Sequence, residues 1–178
     1  MTAKSQDHTN LSGTFDFSIL LLIPVFAILI FLSACNKEKI LYSKSEEIGK
    51  QGWAYNDPIT FSFSAMDTTQ VYDLNLEITH DREYAWQNLY VRIQTSFPGD
   101  SIKTDVLSLE FSDGIGGWAG SCSGKTCDLT IPLQKHVKFP LPGEYALKFE
   151  QYMRQEIVPG ILGLQLTVLQ AENEKAGK

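Results

Sequence analysis

Cys35 follows Leu32-Ser33-Ala34 at the close of an uncharged run from Phe17 to Ala34. A thiol placed there fits the bacterial lipoprotein signal, an apolar core ending in a small-residue cleavage site. The cysteine is diacylated, the peptide bond before it is cut, and the new amino terminus is acylated. Each buried methylene contributes about 0.8 kcal/mol, so several chains on one residue hold a protein at a membrane. Residues 1–34 are then absent from the mature protein. The competing reading is an uncleaved spanning helix, for which eighteen uncharged residues are just long enough. Pro24 weakens that helix, and a buried helix of a soluble protein is the least favoured reading, because no face of the run is polar. The lipoprotein reading is adopted, although Lys4 is the only basic residue ahead of the run and Asp7 and Asp16 oppose it.

The other residues able to do chemistry are few. Cys122 and Cys127 flank Ser-Gly-Lys-Thr, a loop short and flexible enough to close a disulfide in an oxidising compartment, so the pair is either bridged or free. Two thiols alone do not complete the four-ligand shell of zinc, and neither a metal nor a cofactor is expected. His80 and His136 belong to no catalytic motif. Asp105, Glu110 and Asp113 raise the pairing of carboxylates that glycoside hydrolysis needs. Asp105 is read, however, as a solvated residue on the strand face opposite Leu107 and Leu109. Gly114-Ile115-Gly116-Gly117 has no helix after it to hold a phosphate and reads as a flexible hairpin connection. With no set of catalytic roles, no enzymatic activity is expected. Trp86, Tyr90 and Trp118, with Tyr84, are ligand-contact candidates, because large rings near loops stack on sugars or anchor protein partners. The blander and favoured reading has Trp86 and Trp118 capping the ends of the core.

Removing 34 of the 178 residues leaves 144, a length for one domain with a core of its own. The formal charge is −6, and about −5 once Lys4, Asp7 and Asp16 are gone. Nucleic-acid binding is excluded on that ground, since phosphate recognition needs a concentrated basic surface.

These residues must be positioned by strands. Residues 35–52 are charged and lack apolar periodicity, and are read as the lipidated terminus and a tether. From Trp53 onward the pattern alternates with period two. Ile59, Phe61 and Phe63 form one face; Tyr72, Leu74, Leu76 and Ile78 form the cleanest strand, against Asp73, Asn75 and Glu77 on the outside. Leu89, Val91 and Ile93 continue the pattern, then Leu107, Leu109 and Phe111, then Leu129, Ile131 and Leu133. Tyr145, Leu147, Phe149 and Met153 follow, and Leu162, Leu164, Leu166 and Val168 close the series. Turn chemistry separates them at Pro98-Gly99-Asp100, Pro140 to Gly143 and Pro159-Gly160. The expected fold is all-β: an antiparallel two-sheet β-sandwich, jelly-roll-like, of about eight strands over residues 53–170. Residues 171–178 form a polar tail.

Several fragments in order resemble the gliding-motility lipoprotein GldH family of Bacteroidetes. They run from Leu32-Ser33-Ala34-Cys35 and Trp53 through Asp67-Thr68, Tyr72-Asp73-Leu74 and Asn88-Leu89-Tyr90. The densest are Gly117-Trp118-Ala119-Gly120, Gly143-Glu144-Tyr145, Glu150 to Arg154 and Pro159-Gly160-Ile161 with Gly163. Cys122 and Cys127 stand outside this pattern. The resemblance implies a membrane-anchored, non-catalytic interaction or scaffold component of gliding, acting with other motility lipoproteins and type IX secretion components. Only Cys35 carries over as a functional position. Asn36 is not an acidic retention signal, and Lys37-Glu38-Lys39 lacks an acidic surface-export run. The expected location is therefore the outer membrane with the domain facing the periplasm. The alternative is a carbohydrate-binding envelope lipoprotein using its aromatic residues as a platform.

Overall fold

The computed structural model describes residues 39–171, so Cys35, the leader 1–34 and tail residues 172–178 lie outside the described part. The described residues are all-β, with eleven strands (β1 to β11) and no helix. The larger sheet takes β1 (Ile40–Glu47), β11 (Ile161–Gln170), β4 (Tyr72–Asp81), β8 (Thr126–Val137) and β7 (Ser121–Ser123), in that order. Facing it lies a sheet of β3 (Ile59–Ala65), β9 (Gly143–Gln151), β5 (Asn88–Ser96) and β6 (Ile102–Glu110). A third, two-stranded ribbon of β2 (Trp53–Ala54) and β10 (Ile157–Val158) is hydrogen-bonded separately and adds Trp53 and Val158 to the same core. All pairings are antiparallel. Without the ribbon and the three-residue β7, eight long strands remain, four to a sheet. The chain changes sheets between most of them and turns a hairpin within one sheet only at β5–β6, which is the connectivity of a jelly roll.

The period-two pattern builds the core. Tyr72, Leu74, Leu76, Ile78 and His80 on β4 are all buried and meet Phe61, Phe63, Leu89, Val91, Tyr145, Leu147 and Phe149 from the opposite sheet. Rings fill one end: Phe139 lies 4.6 Å from Tyr145 and 5.1 Å from Tyr72, with Phe63 stacked 6.0 Å from Tyr145. Asp73, Asn75 and Glu77, read as exposed, are half-buried, because β11 and β8 flank β4 on both sides and crowd its outer face.

Two elements depart from the sequence reading. Residues 40–47, taken as part of a tether, form β1, paired with β11 from Ile40↔Leu169 to Glu47↔Gly163. The strand is held by main-chain pairing and its inward face is mostly polar: Tyr42 packs 5.4 Å from Phe63, while Lys44 and Glu46, on the same face at the open edge of the sheet, pair with each other at 2.6 Å. Charge on an edge strand is how sheets discourage further pairing, and it also hides the strand from a hydrophobicity pattern. In β11 a bulge between Ile161 and Gly163 resets the phase, so Ile161 is buried and Leu162 is only half-buried.

The β1-to-β3 connection is fixed by one glycine. Gly52 has φ +105°, and a Cβ there would come within 2.3 Å of the Val158 carbonyl oxygen. Only glycine permits this backbone approach.

Candidate functional site

At the end of the sandwich away from the chain's entry, the loops 82–87 and 111–120 bring together the aromatic residues singled out in the sequence. His80 is fully buried, stacked on Phe111 at 4.9 Å, with Trp118 edge-on at 4.9 Å. Its Nδ1–H donates to the Asp81 carbonyl at 2.8 Å, and Nε2 has no hydrogen-bond partner among the described residues. Trp118 is half-buried and its indole N–H donates to the Arg82 carbonyl at 2.9 Å. Trp86 packs edge-on against Tyr84, whose buried phenol donates to the Asn88 carbonyl and has its pKa pushed up by that burial. Both tryptophans therefore act as lids on the core, the reading favoured from sequence. Tyr90 is exposed on the outer face of β5, and no ring contact joins it to either tryptophan among the described residues. The three rings do not share a flat surface.

The loop that carries Trp118 crosses from β6 to β7 between sheets, where a flexible hairpin was expected. It is tied internally: Asp113 Oδ1 accepts from the amides of Ile115 at 3.0 Å and Gly117 at 2.8 Å, and Ser112 bridges to Trp118. Beyond it, Gly124-Lys125 makes a two-residue hairpin with the glycine first at φ +61°, a pattern suited to a II′ turn. That turn sets Cys122 directly opposite Cys127, with Cα atoms 4.0 Å apart, and the two are disulfide-bonded. Because the sequence separation is only 5, the bridge removes little unfolded-chain entropy, about 2 kcal/mol at most. Reducing the bridge without changing either residue should lower stability by no more than that in urea titrations, a test that avoids placing a hydroxyl at the fully buried position 127. Mass spectrometry of the alkylated, non-reduced chain should find neither thiol labelled, and finding both labelled would show the pair to be free.

The other flank holds a feature the sequence reading missed. A cleft of about 310 Å³ opens between the sheets, lined by Leu74, Leu107, Leu133, Val137, Phe139 and Tyr145 among others. It exists because β7 covers only the start of β8, and register shifts opposite Tyr72 to Asn75 disturb the ladder around Pro132. Proline cannot donate to the ladder and bulges bend a strand, so the sheets part here. Two corrections follow. Leu107 faces this cleft and stays exposed instead of joining the closed core. Asp105 shares the face of Leu107 and Leu109, as alternate residues of one strand must, and lies at the cleft beside Lys103 at 2.9 Å. Glu110 is exposed on the other face and Asp113 is engaged in its own loop, so the three carboxylates do not converge.

On the outer face of the smaller sheet, Arg92 joins Glu150 and lies 5.3 Å over the Tyr152 ring, while Lys148 reaches Glu150 at 3.0 Å. Partial burial works against the Glu150 charge, but its bonds to Lys148 and Arg92 prevail and hold its pKa below the ordinary value. His136 is exposed, and its backbone amide donates to Asp73 at 2.7 Å. No cluster of three or more candidate metal ligands occurs among the described residues.

Residues 40–167 match the family model described as GldH lipoprotein. The gliding motility lipoprotein GldH homolog of Christiangramia forsetii is 29% identical over 133 residues, covering 75% of this chain and 80% of that protein. The gliding motility lipoprotein GldH of Flavobacterium johnsoniae is 25% identical over 137 residues, covering 76% of this chain and 84% of its own. Among solved structures, a 4-O-methyl-α-glucuronidase with specificity for decorated arabinogalactans is similar over 76% of this chain but only 18% of that enzyme, at 12% identity and a TM-score of 0.42. A likeness of that size carries no argument. The family match begins at the first residue of β1 and ends within β11, spanning the whole jelly roll, and the chain belongs to the GldH lipoprotein family.

Proposed function

We propose that this chain is a lipid-anchored component of a gliding-motility apparatus, acting by binding other proteins and without catalytic chemistry of its own. The observation that carries the reading is the family match across the entire sandwich, together with relatives named for gliding motility that align over most of their length. Cys35 carries the acyl chains, holding the domain at the outer membrane on its periplasmic side. Its working partners are other motility lipoproteins and components of type IX secretion. The aromatic geometry supports protein contact over glycan stacking, since Trp86 and Trp118 are committed edge-on to the core. Affinity purification of the tagged, acylated chain from its own membranes tests the partner class. Co-recovery of motility lipoproteins is expected. Their absence, with recovery of envelope glycan instead, would favour the carbohydrate-binding alternative.

A further inference from the structure

We infer that one end of the jelly roll is a membrane-contact surface, with Ile40, Leu41, Met66 and Leu141 seated in the lipid headgroup region beside the acylated terminus. The inference rests on the proposed lipid anchor at Cys35.

Its first support is the length of chain available. With residues 40–47 in the sheet, only residues 36–39 separate Cys35 from the folded domain. An extended chain covers at most about 3.6 Å per residue, so Ile40 lies within roughly 18 Å of the acylated cysteine. Headgroups occupy roughly 5–8 Å of each leaflet outside the hydrocarbon, so Ile40 can rise no more than roughly 10–13 Å above them and this end of the domain is kept next to the membrane surface.

The second support is what this end presents. The register places the start of β1, the end of β11 and the start of β4 side by side, through Ile40↔Leu169 and Gln170↔Tyr72. Ala65↔Gly143 brings the β3–β4 and β8–β9 loops to the same end. Ile40, Leu41 and Met66 line one shallow groove there, and Met66 is 69% exposed. Leu141 is exposed on the neighbouring loop. Large apolar side chains at the end that the anchor holds against lipid gain burial by entering the headgroup–acyl boundary. Charge at this end is mixed and not net basic, with Lys39, Lys103, Lys135 and Lys138 against Asp67, Asp73, Asp100, Asp105 and Glu144. The contact is therefore apolar and does not depend on anionic lipid.

The opposite end supplies an internal control. Trp53, Trp86 and Trp118 all lie there, as does Ile115, which is 93% exposed. The full, acylated chain carrying Met66→Trp, Leu141→Trp or Ile115→Trp is reconstituted into phosphatidylcholine vesicles with or without dibrominated phosphatidylcholine. Emission added at 66 or 141 is expected to fall about twofold or more on bromination, because side chains at the headgroup–acyl boundary come within reach of the bromines. Emission from position 115 and from the native tryptophans is expected to stay unchanged, and the pattern to persist in high salt. Acylated chain that floats with the vesicles but shows no quenching at either 66 or 141 would overturn the contact and leave the anchor standing. Chain that carries no acyl group and does not float would overturn the anchor, and the contact with it.

Discussion

Leu76→Ala is expected to destabilise the domain by about 2–5 kcal/mol, the range for emptying a buried leucine site that cannot fully collapse. Leu76 is fully buried on β4, paired with Leu166 of β11 on one side and Ile131 of β8 on the other. Neither neighbour can move into the void without disturbing a ladder. Its sequence neighbour is the control. Glu77 lies on the half-buried outer face and accepts one long hydrogen bond from Thr130 at 3.4 Å. Glu77→Ala should change stability by no more than about 0.5 kcal/mol, as surface substitutions usually do. Urea titration of the two variants checks the order; a larger loss at Glu77 than at Leu76 would mean that β4 is registered with the wrong face inward.

Cys35→Ala is expected to abolish processing outright, leaving a heavier precursor that takes up no labelled fatty acid. The motivating feature is the small pair Ser33-Ala34 ahead of the thiol at the end of the apolar run. Equal incorporation of labelled fatty acid by the wild type and the variant would place any acylation elsewhere.

The elements legible in the sequence were those whose side chains alternate against a core. β4 is the clearest, with five alternate residues from Tyr72 to His80 all buried. β1 was invisible because its attachment is made by backbone hydrogen bonds to β11, which leave no trace in residue type. The misreading matters for the proposed anchor, since a strand in place of a tether leaves only residues 36–39 between Cys35 and the sheet. The cleft beside Leu107 and Val137 was also missed. A signal was present in Pro132, because a proline within a strand pattern marks an edge or a bulge, and both are found there. The Cys122–Cys127 spacing left bridging open, and the Gly124-Lys125 turn decides it by setting the two residues opposite each other. For the tryptophans, sequence could place the rings near loops but could not tell a lid from a platform. That distinction rests on His80 and Tyr84, the inward-facing residues against which the rings pack.

The role proposed for this chain is tested most directly by the movement of cells whose only copy of it is altered. Deleting the chain should stop cells gliding over a surface, a wild-type copy should restore movement, and a Cys35→Ala copy made in equal amount should not. Undiminished gliding in the deletion strain would contradict a part in motility, and full rescue by Cys35→Ala would contradict a role that depends on the lipid anchor.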